Sequence, residues 1–116
     1  MSDNRREFFR VSFVRAISGK VAIPEKEEVF VDIVNLSAGG LVFTASLDFA
    51  LHEKVFCNFV LLDEEFLLEG RIVRKLEKDP YFEYGVQFVI DQSTSSKLFQ
   101  QLNTYQIRKR RSMLND

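Results

Sequence analysis

The chain has one cysteine, Cys57, one histidine, His52, and no tryptophan in 116 residues. A single thiol excludes an intrachain disulfide, and with it the disulfide-stapled secreted scaffolds. One cysteine and one histidine are too few for a zinc site held within the chain. A lone histidine also leaves no His-based dyad anywhere except at position 52, which falls in an expected loop. The serines do not stand in a nucleophile-elbow pattern, and no glycine-rich loop opens a helix to cradle phosphate. The residues therefore argue against an enzyme. The opening MSDNRREFFR is charged and has no apolar h-region, so it does not read as a signal peptide. No apolar run approaches the roughly 20 residues that span a bilayer. The expectation is a cytoplasmic protein of single-domain size.

A large net charge is also lacking. Lys and Arg number 16 against 17 Asp and Glu, for a net charge of -1. The large positive excess that non-specific binding to nucleic acid or anionic membranes needs is absent. The balance is uneven, however. Residues 1–15 carry four arginines against Asp3 and Glu7, a balance of +2. Residues 105–116 carry Arg108, Lys109, Arg110 and Arg111 against Asp116, a balance of +3, and residues 16–104 carry -6. Two basic ends flank an acidic body.

What is present is a strand pattern. Phe82, Tyr84, Val86, Phe88 and Ile90 alternate with Glu83, Gly85 and Gln87, the period of a half-buried strand. Val29, Val31 and Ile33 share one face, with Asp32 on the other. Val55, Cys57, Phe59 and Leu61 share another, and Phe66 to Leu76 reads as a longer strand. Val11 to Ile17 and Leu41 to Thr44 add two more. Gly19-Lys20, Pro24-Glu25-Lys26, Ala38-Gly39-Gly40, Asp63-Glu64 and Lys78-Asp79-Pro80 read as turns. Six or seven short antiparallel strands predict an all-β barrel or sandwich, with most of the 12 phenylalanines as core fillers. Leu98, Leu102 and Tyr105 then recur at helical spacing. They predict one helix over 93–112, with Ser93-Thr94-Ser95-Ser96 as cap candidates and cations at its C-terminus.

Two clusters carry chemistry. Arg5, Arg6 and Arg10 offer planar, permanently charged forks suited to phosphate oxygens and to the O6/N7 edge of guanine. The bland alternative is a solvated basic arm. Asn35 and Ser37, two apart on an extended segment, point to one face, with Leu36 toward the core. Gly39 and Gly40 let backbone approach a ligand closely. Here the alternative is a turn whose polar side chains satisfy local backbone groups.

Taken together, Arg6-x-x-x-Arg10 followed by Asn35-x-Ser37-x-x-Gly40 resembles the PilZ domain family, bacterial receptors for the second messenger cyclic di-GMP. Arg5 matches the double-Arg start of many members, and Tyr84-Gly-Val-Gln-Phe-Val89 is similar to the family's closing strand. The resemblance covers almost the whole chain. It implies a six-stranded antiparallel β-barrel with a C-terminal α-helix, as a single domain over 1–116. A flexible arm would span 1–10, the barrel 11–91 and the helix 93–112. It implies that Arg6 and Arg10 contact phosphate and guanine, that Asn35 and Ser37 hydrogen-bond guanine, and that Gly40 leaves room for the ligand. Arg5 implies an intercalated ligand dimer. Asn at 35, where Asp is commoner, forgoes a negative charge toward guanine's N–H donors. The implied function is a bacterial signal-transduction receptor that relays cyclic di-GMP levels to an effector protein by ordering its arm, with no cofactor besides the ligand. Two alternatives remain: a PilZ-like adaptor that binds no nucleotide, and a small nucleic-acid-binding barrel, which the acidic body opposes. Homodimerisation stays open.

Overall fold

The computed structural model describes residues 9–114. Six strands form in chain order: β1 (Arg10–Ala22), β2 (Glu28–Ser37), β3 (Gly40–Ala45), β4 (Lys54–Leu61), β5 (Glu64–Glu77) and β6 (Phe82–Phe88). A helix, α1 (Gln92–Leu114), follows. All pairings are antiparallel, and the strands close into a barrel in the order β1-β2-β3-β6-β5-β4. The expected six-stranded barrel with a C-terminal helix is the observed fold.

The alternation read from the sequence decides which side chains fill the barrel. Val31, Ile33, Val55, Cys57, Phe59, Leu61, Phe66, Leu68, Ile72, Tyr84 and Val86 are all buried. Tyr84 stacks on Phe43 at 4.9 Å between ring centroids, and Phe49 meets both rings edge-on. Its hydroxyl accepts from the Phe49 N–H at 2.8 Å and donates to the Leu47 carbonyl at 2.7 Å. A polar group inside the core is thus paired twice, which avoids the cost of an unsatisfied buried hydroxyl. The outward row is polar with exceptions: Phe30 is 77% exposed, and the Lys20 ammonium stands 5.3 Å from its ring centroid.

Three local expectations change. Gly19-Lys20 is no turn but the middle of a continuous β1. Gly19 pairs with Val31 on one side and Phe59 on the other. A Cβ at Gly19 would sit 2.6 Å from the Ile33 Cδ1, so the missing side chain serves packing, not chain reversal. The β4–β5 reversal uses Leu62 and Asp63, one residue earlier than Asp63-Glu64. Both adopt positive φ, 51° and 66°, as a two-residue hairpin closing on the Leu61–Glu64 pair requires. Finally, Asp91 rather than a serine caps α1: its carboxylate accepts the Thr94 N–H at 2.7 Å. That bond lowers the Asp91 pKa.

The helix seals one side of the barrel. Leu98 and Leu102 are fully buried, Tyr105 meets Phe13 edge-on at 5.5 Å, and Lys97 pairs with Glu64 at 2.7 Å. Among the described residues, no helix is long and apolar enough to cross a membrane.

Burial pushes the Cys57 thiol up to about 12, whereas an unfolded thiol ionises near about 8.5. The folded state therefore holds the proton more tightly. Its stabilising contribution is complete below the unfolded pKa and is lost as pH rises toward the folded one. Titration with a thiolate-directed disulfide reagent at about pH 8 should show Cys57 inert in native buffer and reactive once denaturant unfolds the chain. Equal rates in both conditions would contradict this burial.

Candidate functional site

Two irregularities in the barrel place the outward-facing polar side chains. On β2 the inward run is Val29, Val31 and Ile33, and strict alternation sends Asn35 inward next. The register against β3 shifts between Ile33 and Asn35, leaving Val34 as an extra residue. The phase flips, Leu36 goes into the core and Asn35 turns outward. On β5 the inward run is Phe66, Leu68, Gly70 and Ile72. The register against β6 shifts between Ile72 and Arg74, so Val73 is extra and Arg74 turns outward opposite Gly85. One row then crosses five strands: Arg74, Gly85, Val42, Asn35 and Ser12.

Arg10 opens β1 opposite Ser37. Its Nη1 donates to the Asn35 Oδ1 at 2.5 Å, across a gap of 25 residues in sequence. The Arg74 side chain lies over Gly85, where an added Cβ would be only 3.2 Å from its Nε. The Arg74 Nη1 stands 3.5 Å from a Glu83 carboxylate oxygen. Desolvation of its guanidinium, and then the nearby Arg74 charge, hold the Arg10 pKa below the usual guanidinium range. Cations are thus gathered here against their mutual repulsion.

Arg10, Val73 and Val86 are shared by two adjoining grooves. The first, about 530 Å³, runs along Ser37–Gly40 to Gln87 and the first turn of α1 at Asp91, Gln92 and Ser95. The second, about 340 Å³, is lined by Arg10, Asn35, Arg74 and Gly85, among others.

Ser37 lies beneath this surface and is fully buried. Its hydroxyl accepts the N–H groups of Gly39, at 3.2 Å, and Gly40, at 3.1 Å, and donates to the Gly40 carbonyl at 3.2 Å. It holds the β2–β3 turn in shape, which is the local role that serine takes in such turns. Gly40 is required by backbone: a Cβ there would sit 2.0 Å from the Val86 carbonyl oxygen. The Phe88 N–H donates to the Gly39 carbonyl at 2.9 Å, so this turn is bound to β6 on its far side.

Of the residues singled out by the sequence, the fold brings Arg10 and Asn35 into direct contact and sets Ser37 and Gly40 in the adjoining turn. Arg5 and Arg6 lie outside the described residues. Sequence reasoning missed Arg74, Val73 and Gln87. A signal for the first two was present: the doublet Ile72-Val73 interrupts a period-two run, as Ile33-Val34 does on β2.

The family model for the PilZ domain matches residues 4–105, and the chain belongs to that family. A search of curated proteins returns no match. Among solved structures, the Bacillus subtilis inhibitor of motility MotI/DgrA superposes with a TM-score of 0.69 at 19% identity, covering 87% of this chain and 51% of its own. The PilZ domain of CeSA from a cellulose-synthesizing bacterium superposes at 0.62, with 22% identity and coverage of 81% and 93%. YcgR from Escherichia coli, in complex with c-di-GMP, superposes at 0.72, with 14% identity and coverage of 92% and 48%. The chain thus spans about half the length of MotI/DgrA and YcgR and nearly all of the isolated CeSA domain.

Two substitutions test the turn. Ser37→Ala strands the buried Gly40 N–H and the part-buried Gly39 N–H and should cost about 1–3 kcal/mol in urea unfolding. Gly40→Ala must push β3 from β6. It should cost at least as much and should also weaken amide-exchange protection across the β3–β6 ladder, whereas Ser37→Ala should leave that ladder protected.

Proposed function

We propose that this chain is a receptor for cyclic di-GMP, bound over the grooves at Arg10 and Asn35 and read out without turnover. The observation that carries the reading is the Arg10–Asn35 hydrogen bond, which joins two motifs distant in sequence through an arginine that lines both grooves. The ligand carries two phosphate charges and two guanines and little apolar surface. It calls for fixed cations, guanidinium planes and base-edge partners, which Arg10 and Asn35 supply. The family match and the c-di-GMP complex of YcgR support it. In this reading Arg6 and Arg5 close over the ligand from the N-terminal side, and Arg5 favours a stacked ligand pair. Asn35 presents the base-edge amide. Ser37 and Gly40 shape the turn and let the backbone come close.

The signal leaves through a partner, since binding alone changes no covalent bond. Phe9 stands between Arg6 and Arg10 in sequence and meets the Phe99 ring of α1 edge-on at 5.7 Å. Ligand held by arginines on both sides of Phe9 therefore bears on the helix as well as on the arm. We assign the protein to the bacterial cytoplasm, where the messenger and an effector protein are both available.

Isothermal titration tests this directly. Cyclic di-GMP should bind with a micromolar or tighter Kd, while cyclic di-AMP and GTP should bind far more weakly. Arg10→Ala should lose at least about tenfold in affinity, the worth of one charge-assisted contact. A wild-type protein that binds no cyclic di-GMP under these conditions would refute the receptor reading.

A further inference from the structure

We infer that Arg74 is a further ligand-binding residue of this site: it contacts a phosphate of the bound dianion, and Glu83 holds it in reserve until the ligand arrives. The inference rests on the cyclic di-GMP reading above and extends it to a residue outside both motifs.

Three independent features converge on Arg74. First, the bulge at Val73 is what faces it outward, and it lands in the same cross-strand row as Asn35. An arginine paired across the ladder with the compact Gly85 has space to lie flat along the barrel surface, and it does so: its Nε stands only 3.2 Å from where a Cβ on Gly85 would be. Second, it lines the same groove as Arg10 and Asn35. Third, its charge works against Arg10: two guanidinium groups share one groove, and Arg10 is made less basic first by its own desolvation and then by the Arg74 charge. A fold gains nothing from that repulsion by itself. An anion bridging the two cations turns the repulsion into attraction.

Glu83 completes the device. At 3.5 Å it neutralises Arg74 only through a long contact on a half-exposed surface, where an ion pair is weak. A phosphate is a better partner for a guanidinium than a single distant carboxylate, since two parallel N–H bonds can form. The carboxylate therefore competes with the ligand and sets the affinity, holding it below what two free arginines would give.

The test is a set of titrations with cyclic di-GMP using wild type, Arg10→Ala, Arg74→Gln, Arg74→Lys and Glu83→Gln, each with a melting curve. Arg74→Gln should weaken binding about tenfold while the ligand-free melting temperature stays close to wild type. Arg74→Lys should lose less than Arg74→Gln, because the charge on the phosphate is kept while the paired N–H bonds are given up. Glu83→Gln should tighten binding about two- to fivefold by removing the competing carboxylate. The inference is overturned, and the receptor reading kept, if wild type binds and Arg10→Ala does not while Arg74→Gln binds like wild type. Arg74→Lys losing as much as Arg74→Gln overturns the phosphate assignment in favour of a base contact. Absence of binding by wild type overturns both readings. If Arg74→Gln fails to fold, Glu83→Gln decides alone: tighter binding supports the inference, and unchanged or weaker binding overturns it.

Discussion

Barrel closure is the constraint from which the rest of the structure follows. β1 is paired along both edges, with β2 on one side and β4 on the other, so the sheet has no free edge along that stretch. A six-stranded barrel is narrow, and its interior holds only side chains. Strands this long cannot stay regular while bending around so small a core, and the register slips at three places. On β1 the slip lies between Ser12 and Ile17, on β2 at Val34 and on β5 at Val73. Each slip relieves curvature. Two of them also turn a polar residue, Asn35 or Arg74, onto the outer surface. The candidate site is in this sense a by-product of closing the barrel.

The surface around Arg10 is correspondingly rigid underneath. The Ser37 hydroxyl ties three backbone groups of one turn, and the turn is bound to β6 through Gly39 and by the close approach at Gly40. A turn held this firmly leaves less backbone to be ordered on binding. Charge supplies the attraction: cations stand together at the grooves while the barrel as a whole is acidic. Helix α1 adds a connection, because its rings meet Phe9 and Phe13 on either side of Arg10. A contact made at Arg10 is thus mechanically adjacent to the one helix among the described residues.

Much of the fold was legible because burial on a strand obeys a period of two. The inward faces of β4 and β6 and the buried leucines of α1 follow directly from the spacing of apolar residues. The errors fall where one local signal had two physical meanings. Gly19 resembles a turn former, but it is a packing gap beneath Ile33. The serines resemble caps but fall inside the first turns of α1, whereas Asp91 stands immediately before the helix and its charged carboxylate takes the Thr94 N–H. Ser37 is not among these: it keeps its place in the motif, and its hydroxyl holds the turn from below the surface.

The sequence by itself determined the fold class, the inward faces of β4, β6 and the first part of β2, the helix and the pairing of an arginine cluster with an Asn-x-Ser-x-x-Gly turn. These are local or periodic properties, and the apolar pattern encodes them residue by residue. The tertiary structure alone decided that Arg10 touches Asn35, that Ser37 is structural in position, that Gly40 is held by Val86 and that Arg74 shares the groove. Those facts depend on register, and a shift of one residue at Val34 or Val73 reverses which face a side chain occupies. The energy that selects the register comes from closing the barrel around its core, a property of all six strands together.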